Sequence, residues 1–258
     1  VPVASDLEFA FALADRADAL TMPSFRSEGL AVETKKDQSP VTEVDRAVEA
    51  GLRKLIGEQR PQDAVVGEEE GESGSGRRRW VIDPIDGTVN FVKGVPVWAT
   101  LVALAVDGEA SLGVVSSPVL GRRWWAARGE GAFVSRTGGP PERLRTSSVG
   151  RLAEATVSSG CLRDFNPPEV LVEVARRAGR CRGFGDFWQH MLVAEGALEA
   201  ALEPVCSLWD VAALQVIVEE AGGKFTDFVG QRRLDAGNAL SSNGLVHDEL
   251  VGLLSGPA

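Results

Sequence analysis

Between Ala64 and Arg145 the chain is written as short β-branched and apolar runs parted by turn residues: Ala64 to Val66, Trp80 to Ile82, Val97 to Val106, Ala110 to Ser117 and Arg122 to Ala127. Runs of this length and composition, bounded by Gly, Pro, Asn and Asp, are strands. The segment therefore predicts a sheet, with Asp107-Gly108 as a hairpin turn. Gly71 to Arg79, rich in Gly and Ser and ending in three arginines, reads as a mobile surface loop.

Helices precede this sheet. Leu7, Ala10, Phe11, Ala14 and Ala17 recur at helical spacing until Pro23 and Gly29 stop them. A second helix begins at Thr42, where T-E-V-D resembles a capping box, and carries Val44, Val48, Leu52, Leu55 and Ile56 on one face before Gly57 and Pro61. After about Arg145 helices are predicted over Pro167 to Ala178, Asp186 to Gly196, Trp209 to Ala221 and His247 to Leu254, alternating with strands near Arg182 and over Leu198 to Leu202. The change of pattern predicts two domains, residues 1–145 and 146–258.

Size and charge narrow the function. A chain of 258 residues, 44% hydrophobic and 25% charged, buries enough surface to hold a core without disulfides or a structural metal. Cys161, Cys181 and Cys206 are odd in number and far apart, which fits neither a disulfide framework nor a zinc site and points to a reducing cytoplasm. The 27 Lys and Arg against 37 Asp and Glu give a net charge of −10, so no basic nucleic-acid footprint exists. Acids at Asp6, Glu8, Asp15 and Asp18 stand where a signal peptide needs basic residues. The most apolar stretch, Val95 to Val106, is shorter than the ~20 residues that span a bilayer.

W-V-I-D-P-I-D-G-T, Trp80 to Thr88, is the segment richest in chemistry. An apolar strand delivers Asp83, Pro84 restricts the chain, and Asp86 follows three residues later, just before Gly87 and Thr88. The N–H groups of Gly87 and Thr88 would open a short helix toward an anion. Taken alone, the two Asp dipeptides make an ordinary turn with solvated acids. G-E-E-E-G, Gly67 to Gly71, also follows an apolar strand, however. Two like charges ~4 Å apart cost about 4 kcal/mol at an effective dielectric of 20, so a fold that gathers such acids calls for a cation. Asp210, in L-W-D-V-A-A-L, is either a further ligand or a helix N-cap, and Asp45 and Thr42 have the bland role of a capping box.

G-E-E at Gly67 to Glu69, D-P-I-D-G-T at Asp83 to Thr88, W-D at Trp209 to Asp210 and E-A-G-G at Glu220 to Gly223, in this order and spacing, resemble the inositol monophosphatase family of Mg²⁺-dependent, lithium-sensitive phosphatases. S-P-V-T-E-V-D, R-R-W-W-A-A-R-G-E-G-A-F and G-D-F-W-Q-H-M-L-V-A-E-G extend the resemblance toward the family's bacterial histidinol-phosphatase branch, from which His190 (commonly Tyr) and Val89 depart.

The resemblance implies an α+β fold of αβαβα layers, with a largely antiparallel first sheet and a mixed second one. It implies one Mg²⁺ held by Glu68, Asp83 and the Ile85 carbonyl, a second held by Asp83, Asp86 and Asp210, and a weaker third near Glu68 and Asp45. Lithium would inhibit. Glu68, Thr88 and Asp45 take the catalytic roles, Thr88 and Glu68 receiving a proton from the attacking water. Gly87, Thr88, Asp210, Lys35, Asp186, Glu203 and Arg182 would meet a small phosphate ester, with Asp186 and Glu203 favouring the cationic head of L-histidinol phosphate over a neutral polyol. Asp186 has a competing role as a helix cap and Lys35 as a solvated loop lysine. An inositol-1-phosphatase, a broad sugar phosphatase and a catalytically silent metal- or phosphate-binding module are the alternatives. Relatives are usually homodimers, and Trp98, Trp124 and Trp125 are either a subunit contact or core. His247 reads as a surface residue at a helix end.

Overall fold

The computed structural model describes residues 3–27, 31–34 and 40–255. Helix α1 (Val3–Thr21) leads to a short ladder of β1 (Val32–Thr34) and β2 (Pro40–Thr42), followed at once by α2 (Glu43–Gln59). Then come β3 (Ala64–Gly67), β4 (Gly71–Ser73), β5 (Arg78–Asp86) and the five-residue α3 (Thr88–Val92). A meander continues through β6 (Ala99–Val106), β7 (Glu109–Ser117), β8 (Arg122–Ala127), β9 (Gly131–Arg136) and β10 (Glu142–Arg143). The remainder is β11 (Thr156–Ser159), α4 (Glu169–Arg177), β12 (Arg180–Arg182), α5 (Asp186–Ala194), β13 (Ala200–Glu203), α6 (Leu208–Glu220), β14 (Lys224–Thr226), β15 (Ala239–Ser242) and α7 (His247–Leu254).

Eight strands form the first sheet in the order β10-β9-β8-β7-β6-β5-β3-β4, antiparallel except where β3 runs parallel to β5. Five form the second, β12-β11-β13-β15-β14, with both parallel and antiparallel pairs. Three apolar clusters give the layers. Phe9, Leu13, Val48, Leu52 and Ile56 of α1 and α2 pack on Trp80, Ile82, Val102 and Leu104. Val81, Leu101 and Ala103, on the opposite face of the same strands, meet α5 and α6. Beyond the second sheet, Val174 of α4 and Leu250 of α7 meet Val157, Ala200 and Leu240. The result is the αβαβα stack.

Burial on both faces explains why β6 reads as a nearly unbroken apolar run rather than an alternation. Position explains α6 as well. Every residue from Val211 to Val218 is buried because the helix lies between two sheets, so it is apolar all round, whereas α2 carries a one-sided stripe. The cluster around α6 draws on residues from both sides of position 145.

Asp107 and Gly108, both at positive φ, turn β6 into β7 with Val106 opposite Glu109, as their dipeptide suggests. Gly71–Arg79 differs from its reading as a loop: Gly71–Ser73 pairs with β3, and Arg78 already belongs to β5. Backbone pairing at the sheet edge outweighs the Gly and Ser composition there. Strands β9, β14 and β15 carry no sufficiently distinct apolar run and escape the sequence pattern. Trp98 and Trp124 are fully buried, so their rings serve the core, while Trp125 is partly covered by Phe11 and Phe133.

Candidate active site

Register brings the distant acids together. In the parallel pair Gly67, the last residue of β3, stands opposite Ile82, so Glu68 follows beside Asp83, toward the carboxyl end of β5. The β5–β6 ladder is irregular between Asp83 and Asp86, where Pro84 has no N–H to offer. Thr100 Oγ1 donates to the Pro84 carbonyl (2.8 Å), and the Asp83 carboxylate accepts from Ile85 N–H (3.0 Å). Gly87 then turns at φ 83° into α3, where a Cβ would stand 3.1 Å from the Val97 carbonyl.

Two longer helices aim their N-termini at this point. Phe187 N–H, in the first turn of α5, donates to Asp86 Oδ2 (2.7 Å). Asp210 is not the N-cap of α6. Ser207 takes that place, and Asp210, the third residue of the helix, closes its capping box by accepting from Ser207 N–H at 2.6 Å. The carboxylates of Asp83, Asp86 and Asp210 offer oxygens all within 4.8 Å of one another.

These acids sit against strong electrostatic resistance. Burial, then the charges of Glu68, Asp86 and Asp210, raise Asp83 well above the carboxylate range. Burial and the neighbouring Asp186 and Asp210 do the same to Asp86. Asp210 is pushed to about 6, chiefly by burial, against the pull of the Ser207 N–H. Oxygen-only donors this close and mutually repelling, Asp83 buried and Asp86 and Asp210 half-buried, fit a hard divalent cation.

Asp45 and Thr42 form the expected capping box, yet the bland role is incomplete. Asp45 Oδ2 accepts from Thr42 N–H (2.8 Å) and Thr42 Oγ1 (2.5 Å), while its Oδ1 lies 3.4 Å from Thr88 Oγ1. Thr88 Oγ1 is also 3.0 Å from the Ile85 carbonyl, so it joins a wholly buried acid to the motif. Burial raises Asp45, opposed by the Thr42 hydrogen bonds.

On the other side, a cavity of about 120 Å³ is lined by Asp86, Asp186, Glu203 and Asp210 together with Phe187, His190 and the aliphatic Val205, Val211 and Leu214. Asp186 does not cap α5 with its side chain. It occupies the left-handed region (φ 48°), and its Oδ2 accepts from Asn90 Nδ2 at 3.1 Å. Burial raises Asp186, and burial followed by the charges of Asp186 and Asp210 lifts Glu203 to about 8. His190 is buried, bonds Ser241 Oγ through Nδ1 (2.8 Å), and is driven to about 3 by desolvation, so it adds no positive charge.

Arg182 is not brought to this cavity. It is exposed on edge strand β12 and donates to the neighbouring Cys181 carbonyl. Lys35 lies outside the described residues. His247 is buried rather than superficial, held between Ser242 Oγ (2.8 Å) and Thr226 Oγ1 (3.0 Å).

Glu49 is a residue the motifs do not reveal. Fully buried, it accepts from the N–H groups of Glu69 (2.7 Å) and Glu70 (2.9 Å) and pairs with Arg53, so it fixes the turn that carries Glu68. A Cβ on Gly67 would stand 2.3 Å from its Oε1. The available signal is its place on the buried stripe of α2, one turn after Asp45, where an acid is out of pattern.

The model of the inositol monophosphatase family matches residues 3–255. The chain belongs to that family. It is 50% identical over 250 residues to a histidinol-phosphatase of Mycobacterium tuberculosis, covering 95% of this chain and 96% of that one. It is 48% identical over 257 residues to a histidinol-phosphatase of Streptomyces coelicolor, with 97% of each covered. Among solved structures it resembles an IMPase of Thermotoga maritima at a TM-score of 0.86, with 35% identity and 97% of each chain covered. Members of the inositol monophosphatase family are metal-dependent, which accords with the buried acids at the end of β5.

Proposed function

We propose that this protein hydrolyses L-histidinol phosphate to L-histidinol and phosphate, as a Mg²⁺-dependent homodimer in the cytoplasm. As a member of its family it is a phosphoric monoester hydrolase. The observation that carries the substrate is the charge of the cavity. Four acids line it, with no Lys or Arg among the lining residues. Asp86 and Asp210 belong to the metal group, so Asp186 and Glu203 are left for the alcohol half, and an ammonium there draws these raised acids into their ionised form and pairs with them as a cation, which the hydroxyls of a neutral polyol do not. The similarity to two histidinol-phosphatases supports the same reading.

Glu68, Asp83 and the Ile85 carbonyl would hold one Mg²⁺, Asp83, Asp86 and Asp210 a second, with a weaker third near Glu68 and Asp45; lithium would inhibit by competing there. When bound, the metal supplies positive charge for the phosphate oxygens and acidifies water. The chain's own residues handle the proton. Thr88 Oγ1 takes it from the attacking water as its own proton passes to Asp45, with Glu68 beside them. The water oxygen forms the new bond to phosphorus, the ester P–O bond breaks, and the departing alkoxide takes a proton from solvent water to leave as the alcohol, while Asp45 returns its proton to solvent. Gly87 and Thr88 face the phosphate with their backbone.

Inositol-1-phosphatase or broad sugar phosphatase activity is the second reading, favoured by the likeness to the Thermotoga IMPase. Phosphate release from L-histidinol phosphate and myo-inositol 1-phosphate, measured side by side, separates the two. Asp186→Asn should reduce the first far more than the second, and equal losses would refute the assignment.

A further inference from the structure

Glu203 is a flexible acid held unusually firmly. On one side lies Gly160, where a Cβ would be 2.2 Å from Glu203 Oε1, so the carboxylate packs directly on that backbone. On the other is Gln189, a fully buried residue of α5 whose Nε2 donates to Glu203 Oε2 (2.8 Å) and to the Leu202 carbonyl (3.3 Å). Its Oε1 accepts from Ser158 Oγ (2.9 Å), which in turn accepts from Phe184 N–H (3.1 Å).

The amide can point only one way. Ser158 Oγ is occupied as an acceptor by Phe184 and has its proton to give, so it faces an acceptor. Flipping the amide would set Oε1 against a carboxylate and a carbonyl. Buried polar chains of this kind are costly when one member is missing.

Gln189 is not among the residues lining the acid cavity, so whatever it contributes to substrate reaches it through Glu203. We propose that Gln189 is a positioning residue which, with Gly160 opposite, fixes the Glu203 carboxylate toward the alcohol half of the substrate and thereby sets the preference for an ester bearing an ammonium group. The inference rests on the head-group reading given above. Without the amide, Glu203 regains its side-chain rotamers, and the contact with a cation must bear the cost of ordering it.

The test compares steady-state hydrolysis of L-histidinol phosphate with that of glycerol 2-phosphate, a neutral-headed ester, by the full-length protein. Gln189→Leu should raise KM for histidinol phosphate about tenfold or more, the worth of one hydrogen bond to a charged group. Its kcat should change little, and the glycerol ester should be affected far less. Gly160→Ala displaces the same carboxylate from the opposite side and should reproduce the KM shift with the amide chain intact. Ser158→Ala should give a smaller shift in the same direction. If Gln189→Leu does not fold, these two variants carry the test. Equal losses on both esters would reduce Gln189 to packing and overturn the proposal.

Glu203→Gln is the reference. If it abolishes the preference while Gln189→Leu and Gly160→Ala leave it intact, the positioning role fails alone. If Glu203→Gln also leaves it intact, the head-group reading itself falls.

Discussion

Acids gather at both ends of strand β5, and the two ends treat them in opposite ways. At its start Arg78 reaches Asp63 (2.9 Å) and Asp6 (3.0 Å), and Trp80 Nε1 donates to Asp63 (2.9 Å). At its finish Asp83 and Asp86 gather with Asp210, with no Lys or Arg among the lining residues of the adjoining cavity. Both ends are desolvated. The first is complete within the chain and serves stability; the second is complete only with a cation from outside, and serves chemistry.

Loss of a ligand should produce the largest effect and confine it to one end. Asp83→Asn is expected to lower phosphate release on the order of 10³-fold or more, since charge neutralisation at phosphorus is worth several kcal/mol. Urea unfolding of the same variant in chelator should show no loss of stability, because one source of repulsion is gone. A destabilised metal-free variant would mean that Asp83 supports the fold.

Arg78→Met tests the opposite end. It leaves Asp63 only the Trp80 N–H and Asp6 only the more distant Arg60, so stability should fall by about 2–4 kcal/mol in urea. The folded fraction should retain its kcat within about twofold. A large kcat loss at full stability would erase the distinction between the ends.

Mg²⁺ itself should act at one end only. At 100 times its dissociation constant it should add about 2.7 kcal/mol to unfolding of the wild type and of Arg78→Met alike. The increment should shrink sharply in Asp83→Asn. Chelation is expected to leave a folded, inactive protein, as circular dichroism and phosphate release would record together.

The smallest effect concerns His247, a buried group that belongs to neither end. The hydroxyl proton of Thr226 goes to the Asp227 carbonyl, so the neutral ring donates from Nε2 to Thr226 and accepts at Nδ1 from Ser242. Burial lowers it to about 4, with Lys224 pushing the same way and Asp248 opposing. As pH falls below 6.5 the unfolded chain takes up a proton that the folded one refuses until about 4. Stability should therefore be full above 6.5 and decline across that window by up to about 2 kcal/mol, levelling below it. His247→Gln should flatten this part of the urea profile, and an unchanged slope would remove His247 as its source.

Much of this architecture is local and was therefore legible. Helical spacing marks α1 and α2, β-branched runs mark β5 to β8, Asp107-Gly108 marks its hairpin, and D-P-I-D-G-T marks the acids. The short edge strands β4 and β14 are held by pairing with neighbours, which no local pattern records.

What the chain order alone determined is the kind and number of acids and the elements that carry them. It did not determine which acids would be matched. Arg78 is five residues from Asp83, yet it turns to Asp6, 72 positions away, while Gln189 and Glu203 meet only because α5 packs against β13. Partners so distant in sequence are chosen by strand register and helix packing. Only the folded molecule decided that one end of β5 would satisfy its own charges and the other would wait for a cation.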